Sequence, residues 1–198
     1  MQDFNFIDFY IQRKRIQHVE KYIPQACNLL DIGCGIYPYL LYKLKNKITR
    51  GIGIDKEIPG NSTSIENVEF IKSCIKDTLQ IKSESIDVVT MLAVLEHFTY
   101  PREILGECMR VLREGGTMII TVPSYYSRPI LNMLAWFGIS SKEEIYDHKS
   151  WFKKEELEEV VQENGFKIIE SFYYNFGLNI LMVCKKLKQS IETTDGRK

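Results

Sequence analysis

The chain has 198 residues, 44% of them hydrophobic, which is enough for one domain with a substantial core. Lys+Arg and Asp+Glu both number 26, so the overall charge gives no electrostatic case for a nucleic-acid or anionic-membrane partner. The five cysteines are scattered, no stretch is apolar and long enough to cross a bilayer, and the first residues lack a signal-peptide pattern. We therefore expect one cytoplasmic domain, residues 1–186, with a leading helix within 1–24 and a disordered tail, 187–198.

A glycine turn between a strand and a helix is the first candidate ligand site. An apolar run at 28–32 leads to Gly33 and Gly35, and Pro38 suits the start of the helix that follows. Glycine lets the backbone bend sharply and approach a ligand, as the first turn of a doubly wound α/β fold requires. Two glycines are also ordinary turn chemistry, but a second apolar strand ends about 20 residues later at Asp55, where an acid binds ribose hydroxyls.

The residues around the turn indicate the kind of nucleotide. A dinucleotide site needs a third glycine and free amides at the helix start, and Pro38 stands there, which disfavours a nicotinamide-dependent oxidoreductase. A cofactor with an ammonium and a sulfonium but no phosphate instead favours an acid beside the turn, and Asp31 supplies one. The sequence LDIGCG at residues 30–35, together with Asp55, resembles the class I S-adenosylmethionine-dependent methyltransferases.

This resemblance extends from about residue 29 to residue 122 and implies both a fold and a cofactor. The fold is a Rossmann-like, doubly wound, mostly parallel seven-stranded sheet with helices on both faces and an antiparallel C-terminal hairpin. The cofactor is S-adenosyl-L-methionine, partly covered by the leading helix, where Tyr10 and Arg13 are candidates if the helix is more than structural. The cofactor-binding residues implied are Asp31, Gly33, Gly35, Asp55, Lys56, Ile75 and Leu92.

The remaining elements follow from hydrophobic periodicity and turn signals. Strands are predicted at 68–71, 86–91 and 117–122, and helices at 38–45, 101–113 and 153–164. Residues 59–62 predict a turn, and Gly115–Gly116 predicts the stop of the middle helix. The segments 166–173 and 176–185 predict the closing antiparallel pair. Alternating strands and helices indicate a parallel sheet covered on both faces.

The stretch from Ser124 to Ser150 is too long for a plain connection, and inserts of this length are usually functional. Because it follows the carboxyl end of a strand, we expect it to lie over the site and to cover the acceptor substrate. Its apolar centre, residues 131–137, equally fits a homodimer interface, a membrane surface or a helix packed on the domain. These alternatives stay open at this point.

Methyl transfer is an in-line displacement, so the protein positions donor and acceptor and removes a proton where the acceptor requires it. Imidazole titrates near neutral pH, which makes histidine the natural base. His97, after the fourth strand, and His148, at the end of the insert, are the candidate catalytic residues, with purely structural roles as the alternative. His18 lies on the leading helix and is expected at the surface.

Glu96–His97 is similar to the E-x-x-E-H segment of methyltransferases that modify RNA ends or polyprenyl benzoquinone precursors with a divalent metal. Ala93 stands where the first glutamate belongs, so we expect no metal. The predicted function is methyl transfer to a small-molecule acceptor, preferably at an oxygen, without a nucleic-acid partner. The alternative is a non-catalytic cofactor-binding or protein-interaction domain, because Tyr37 replaces the family's third glycine and residues 73–75 lack its adenine-binding aspartate.

Overall fold

The structure is a computed structural model that describes residues 6–60, 62–74, 78–136 and 149–187, without the side chains of residues 6–10, 132 and 134–136. The α-helices are α1 (Phe6–Val19), α2 (Tyr39–Leu44), α3 (Pro101–Val111), α4 (Arg128–Trp136) and α5 (Lys154–Glu163). Short 3-10 helices span Glu20–Tyr22, Leu95–His97 and Tyr125–Ser127. The strands are β1 (Asn28–Ile32), β2 (Arg50–Asp55), β3 (Ser62–Ile65), β4 (Val68–Lys72), β5 (Ile86–Leu92), β6 (Leu112–Pro123), β7 (Phe166–Tyr174) and β8 (Asn179–Lys186).

The strands form one sheet in the order β3-β4-β2-β1-β5-β6-β8-β7. The pairs β1–β2, β1–β5, β2–β4 and β5–β6 are parallel, whereas β8 runs antiparallel to both β6 and β7. The chain passes from one side of β1 to the other between β4 and β5, which creates a switch point beside β1. The doubly wound fold class and its antiparallel C-terminal hairpin are therefore confirmed, and the carboxyl ends of β1, β2 and β5 lie side by side.

Helices pack on both faces of the sheet. One face is covered by α1 and α2, and the other by α3 and α5. The central strand β5 is buried from Ile86 to Met91, as expected for a parallel strand between two helical layers. The principal helical contributions to the two cores are Ile16, Val19, Leu40, Leu41 and Leu44 on the first face, and Leu105, Cys108, Val111, Leu157 and Val161 on the second.

Two local predictions are wrong. The sheet has an eighth strand, β3, which pairs antiparallel with the edge strand β4. Residues 62–65 are all exposed, so they carry no apolar alternation that marks a strand. Helix α3 ends at Val111 and β6 begins at Leu112, so Gly115–Gly116 lies inside the strand and does not stop the helix. A Cβ at Gly116 would lie 2.8 Å from the Arg113 oxygen, which explains glycine at this bend.

The predicted insert, residues 124–150, is described only at its two ends. Helix α4 occupies its first part, and residues 137–148 lie outside the described residues. The tail beyond residue 187 also lies outside them, so the predicted domain limits remain predictions. None of the helices in the described parts of the chain has the length and apolar character needed to cross a membrane.

The turn after β1 packs directly against the chain that leaves β5. Gly33 has a φ of 72°, and a Cβ there would lie 2.3 Å from Cγ2 of Val94. Gly35 has a φ of 74°, but no atom lies within 4 Å of its Cβ position. Both positions favour glycine for their backbone angle, and Gly33 additionally requires it for space.

Replacement of Gly33 by alanine should therefore destabilise the fold more than the same change at Gly60. Gly60 has a φ of 76° and open space around it, so Gly60→Ala carries only the backbone cost, about 1–2 kcal/mol. Gly33→Ala adds the clash with Val94, about 1–3 kcal/mol more. Urea unfolding of both variants measures the difference, and equal losses of stability would show that Val94 does not confine the turn.

Candidate functional site

The glycine turn is held by backbone hydrogen bonds to the end of β2. The Gly33 N–H donates to the Ile54 oxygen at 2.8 Å. The Gly35 N–H donates to Oδ2 of Asp55 at 2.9 Å, and the Glu57 N–H donates to Oδ1 of the same carboxylate at 2.9 Å. Each carboxylate oxygen of the half-buried Asp55 keeps a further lone pair for a ligand. Asp55 thus both shapes the turn and retains acceptor capacity.

A second acid lies beneath the turn. Asp31 is 4% exposed, and its Oδ1 accepts a hydrogen bond from the Thr90 hydroxyl at 2.7 Å. Burial raises the pKa of Asp31 to about 7, the Thr90 hydrogen bond opposes that rise, and the charge of Asp55 adds to it. A cation bound next to Asp31 would favour its ionised form. This carboxyl is therefore suited to respond to a positively charged ligand.

Helix α1 lies beside the turn and closes a narrow cleft. The cleft is lined by Gln12, Arg15, Ile16, Asp31, Gly33, Cys34, Leu40 and Leu92. The Arg15 Nη1 group donates to the Leu92 oxygen at 3.5 Å, which joins the helix to the end of β5. Arg13 is exposed, and the side chain of Tyr10 lies outside the described part of the chain. Gln12 and Arg15 were missed, although their spacing of three residues, with Ile16, places them on one helix face.

A larger cavity lies at the opposite edge of the sheet. It has a volume of about 180 Å³, against about 30 Å³ for the cleft, and Asn28, Arg50 and Ser85 line it near the amino ends of their strands. Parallel sheets bind their ligands at the carboxyl ends of strands, because the loops there converge at the switch point. The positive-φ glycines and both acids also lie at that end, so we assign the site to the smaller cleft.

The exit of β5 forms the other wall of the site. Ala93 adopts a φ of 59°, an uncommon angle for a residue with a Cβ, and its N–H donates to the Thr121 oxygen at 2.8 Å. The one-turn helix that follows carries Glu96, which is 1% exposed, and the half-buried His97. The oxygen of Glu96 accepts the N–H groups of residues 149 and 150, so the returning end of the insert contacts this turn.

The structure brings most of the sequence-predicted site residues together. Asp31, Gly33, Gly35, Asp55 and Leu92 lie at one edge of the sheet, with the exposed Lys56 directly after Asp55. Ile75 and His148 lie outside the described residues.

The other histidine and metal expectations have different outcomes. His18 is half-buried and its ring lies 4.8 Å from that of Tyr174, so its expected surface position is wrong. Within the described ranges, no group of three His, Cys, Asp or Glu side chains is arranged to hold a metal ion. Glu96 and His97 are therefore considered below without a metal.

The chain is similar to proteins of known name along most of its length. It is 23% identical to the ubiquinone/menaquinone biosynthesis C-methyltransferase of Campylobacter jejuni, across 91% of this chain and 88% of that protein. It is also 23% identical to the ubiquinone biosynthesis O-methyltransferase of Nitrosococcus oceani, across 81% and 73%.

Solved structures show the same fold. A methyltransferase of Haloferax volcanii, solved in complex with the Trm112 methyltransferase activator, matches with a TM-score of 0.69 and 19% identity across 89% of this chain and 91% of that one. A SAM-dependent methyltransferase from Aquifex aeolicus matches with a TM-score of 0.64 and 15% identity across 87% and 89%.

The family described as a methyltransferase domain matches residues 6–171, most of the chain. The strand order, the glycine turn and the two acids at the carboxyl edge agree with this match. The chain therefore belongs to the methyltransferase-domain family and is a class I S-adenosylmethionine-dependent methyltransferase.

Proposed function

We propose that this enzyme transfers the methyl group of S-adenosylmethionine to an oxygen of a small-molecule acceptor, with the cofactor bound between Asp31 and Asp55. The observation that carries the proposal is the hydrogen bond from the Gly35 N–H to Asp55, which unites the turn with the strand-end acid. The bound cofactor supplies an electrophilic methyl group on a sulfonium. The protein supplies position and charge, since an in-line displacement needs no protein nucleophile.

The residues at the turn fit this cofactor. Asp55 has lone pairs available for two ribose hydroxyls, and Asp31 is a buried acid suited to the cofactor's ammonium. The open space beside Gly35 accommodates a ligand close to the backbone. Lys56, Ile75 and Leu92 complete the proposed cofactor-binding set.

The acceptor side of the site lies at the exit of β5. The balanced net charge supports a small or uncharged acceptor over a nucleic acid. The named relatives include both a C- and an O-methyltransferase, and our choice of oxygen rests on a base within the site. His97 is the proposed base and His148 a second candidate. Contact between the end of the insert and Glu96 supports our proposal that residues 124–150 cover the acceptor, and a homodimer through them remains a prediction.

Asp55→Ala should weaken cofactor binding without abolishing the fold. The carboxylate accepts charged hydrogen bonds, and the loss of two such bonds costs about 1.5–3 kcal/mol, or roughly 10- to 150-fold in Kd. Calorimetric titration with S-adenosylhomocysteine measures the change. Glu159→Ala, at an exposed position on α5, is the matched control and should keep wild-type affinity. Equal affinity of wild type and Asp55→Ala would remove Asp55 from the site.

Cofactor affinity should fall as the pH drops below about 7. Because the pKa of Asp31 is about 7 in the free protein, the carboxyl gains a proton below that pH and loses its attraction for the ammonium. The Kd for S-adenosylmethionine should rise between pH 7.5 and 5.5 by up to about tenfold per pH unit. Asp31→Asn keeps an acceptor for Thr90 and should bind weakly at every pH in this range. A wild-type Kd that is flat across the range would contradict the assignment.

His97→Ala should lower kcat by about 10²- to 10⁴-fold, the usual loss for a missing general base, and leave cofactor affinity nearly unchanged. His97→Gln should not restore the rate, because an amide does not accept a proton near neutral pH. The assay follows S-adenosylhomocysteine formation with an acceptor that the wild type methylates. If the rate falls only in proportion to cofactor binding, His97 is a binding residue and not a base.

A further inference from the structure

Four polar side chains from distant parts of the chain meet next to the proposed cofactor site. Arg15 comes from α1, Glu96 from the turn after β5, Thr121 from β6 and Tyr174 from the end of β7. We call these residues the polar cluster. Nε of Arg15, both carboxylate oxygens of Glu96, Oγ1 of Thr121 and Oη of Tyr174 are buried and have no hydrogen-bond partner among the residues that the structure describes.

The four groups are near enough to influence one another electrostatically. Burial raises the pKa of Glu96 to about 7, and the Arg15 guanidinium opposes that rise. Burial also raises the pKa of Tyr174, where Arg15 and Thr121 act in the lowering direction and Glu96 in the raising direction. The groups therefore share one buried pocket of polar atoms and are not four independent exceptions.

Buried polar atoms in folded proteins nearly always have a hydrogen-bond partner, since burial without one forfeits their bonds to water. Five such atoms in one cluster are therefore unusual. Elsewhere at this edge the pattern is normal: Asp31, equally buried, is bonded to Thr90. The concentration of unmet atoms indicates a polar partner that is not part of the described chain.

The position of the cluster identifies that partner's side of the site. Arg15 lines the cleft together with Asp31 and Leu92, so the cluster continues the cleft past the end of β5. The hydrogen bond between Ala93 and Thr121 ties this region to β6, on the side of β5 away from β1, β2 and Asp55. A ligand here would lie beyond the cofactor's ribose end, where the acceptor is expected.

We infer that the polar cluster binds an oxygen pair of the methyl acceptor, a hydroxyl with a second oxygen on the neighbouring carbon. Ionised Glu96 offers only acceptors, which a hydroxyl satisfies, whereas Arg15, Thr121 and Tyr174 offer donors, which a second oxygen satisfies. A ligand with a single hydroxyl or with ether oxygens alone leaves part of the cluster unmet. This inference rests on the proposed function and narrows its acceptor to vicinal dioxygen compounds.

The test uses three probes that differ only in their oxygens: catechol, phenol and 1,2-dimethoxybenzene. Each is titrated by calorimetry into the full chain saturated with S-adenosylhomocysteine. Catechol should bind at least about 10-fold more tightly than either other probe, the ratio expected from one buried hydrogen bond made or lost. Equal affinities for the three probes, or no catechol binding to the loaded protein, would overturn the inference and indicate that only water fills the cluster.

Two substitutions separate recognition from a purely structural role. Glu96→Gln adds an amide donor, so it should reduce the preference for catechol over 1,2-dimethoxybenzene about 10-fold while the Kd of S-adenosylhomocysteine stays within about twofold. Tyr174→Phe removes one donor and should weaken catechol about 3- to 10-fold. Glu159→Gln, exposed on α5, is the matched control.

A structural role would weaken all three probes and the cofactor product together and would leave the probe preference unchanged. That result in both variants would overturn the inference while the proposed function stands. Absence of S-adenosylhomocysteine binding by the wild type, measured before any probe is added, would instead contradict the proposed cofactor site and the inference with it.

Discussion

The carboxylate of Asp55 accepts two backbone N–H groups, and the rest of the site depends on this arrangement. One N–H belongs to Gly35 in the turn after β1, and the other to Glu57 after β2. The turn is confined from the other side by Val94, which leaves no room for a side chain at Gly33. Three strand ends thereby fix one short turn, so the cofactor-binding backbone is set before any ligand arrives.

Burial has opposite consequences at the two ends of the molecule's chemistry. Across the helical layers it stabilises apolar side chains, and the central strands are covered on both faces. At the carboxyl edge it instead encloses Asp31 and Glu96, and in both cases it raises the pKa of the carboxyl to about 7. Enclosed acids of this kind are costly for a fold and are typical of functional sites.

Much of the fold could be predicted from the sequence because local patterns encode it: the glycine turn, the acid at the end of β2 and the unbroken apolar run of β5. Strand β3 could not, since Ser62–Ile65 is exposed and pairs only through its backbone. The cofactor side of the site likewise follows from one motif and its spacing. The polar cluster does not, because Arg15, Thr121 and Tyr174 are brought together by tertiary packing across more than 100 residues of chain, and no local pattern records that.

Hydrogen–deuterium exchange with and without S-adenosylhomocysteine tests the central claim, that the cofactor binds at the glycine turn and not in the larger cavity. The account predicts slower exchange in peptides covering residues 33–40 and 55–58 when the ligand is added. Peptides covering residues 80–86, which line the cavity at the amino edge, should be unaffected. Protection of residues 80–86 without protection of 33–40 would contradict the account.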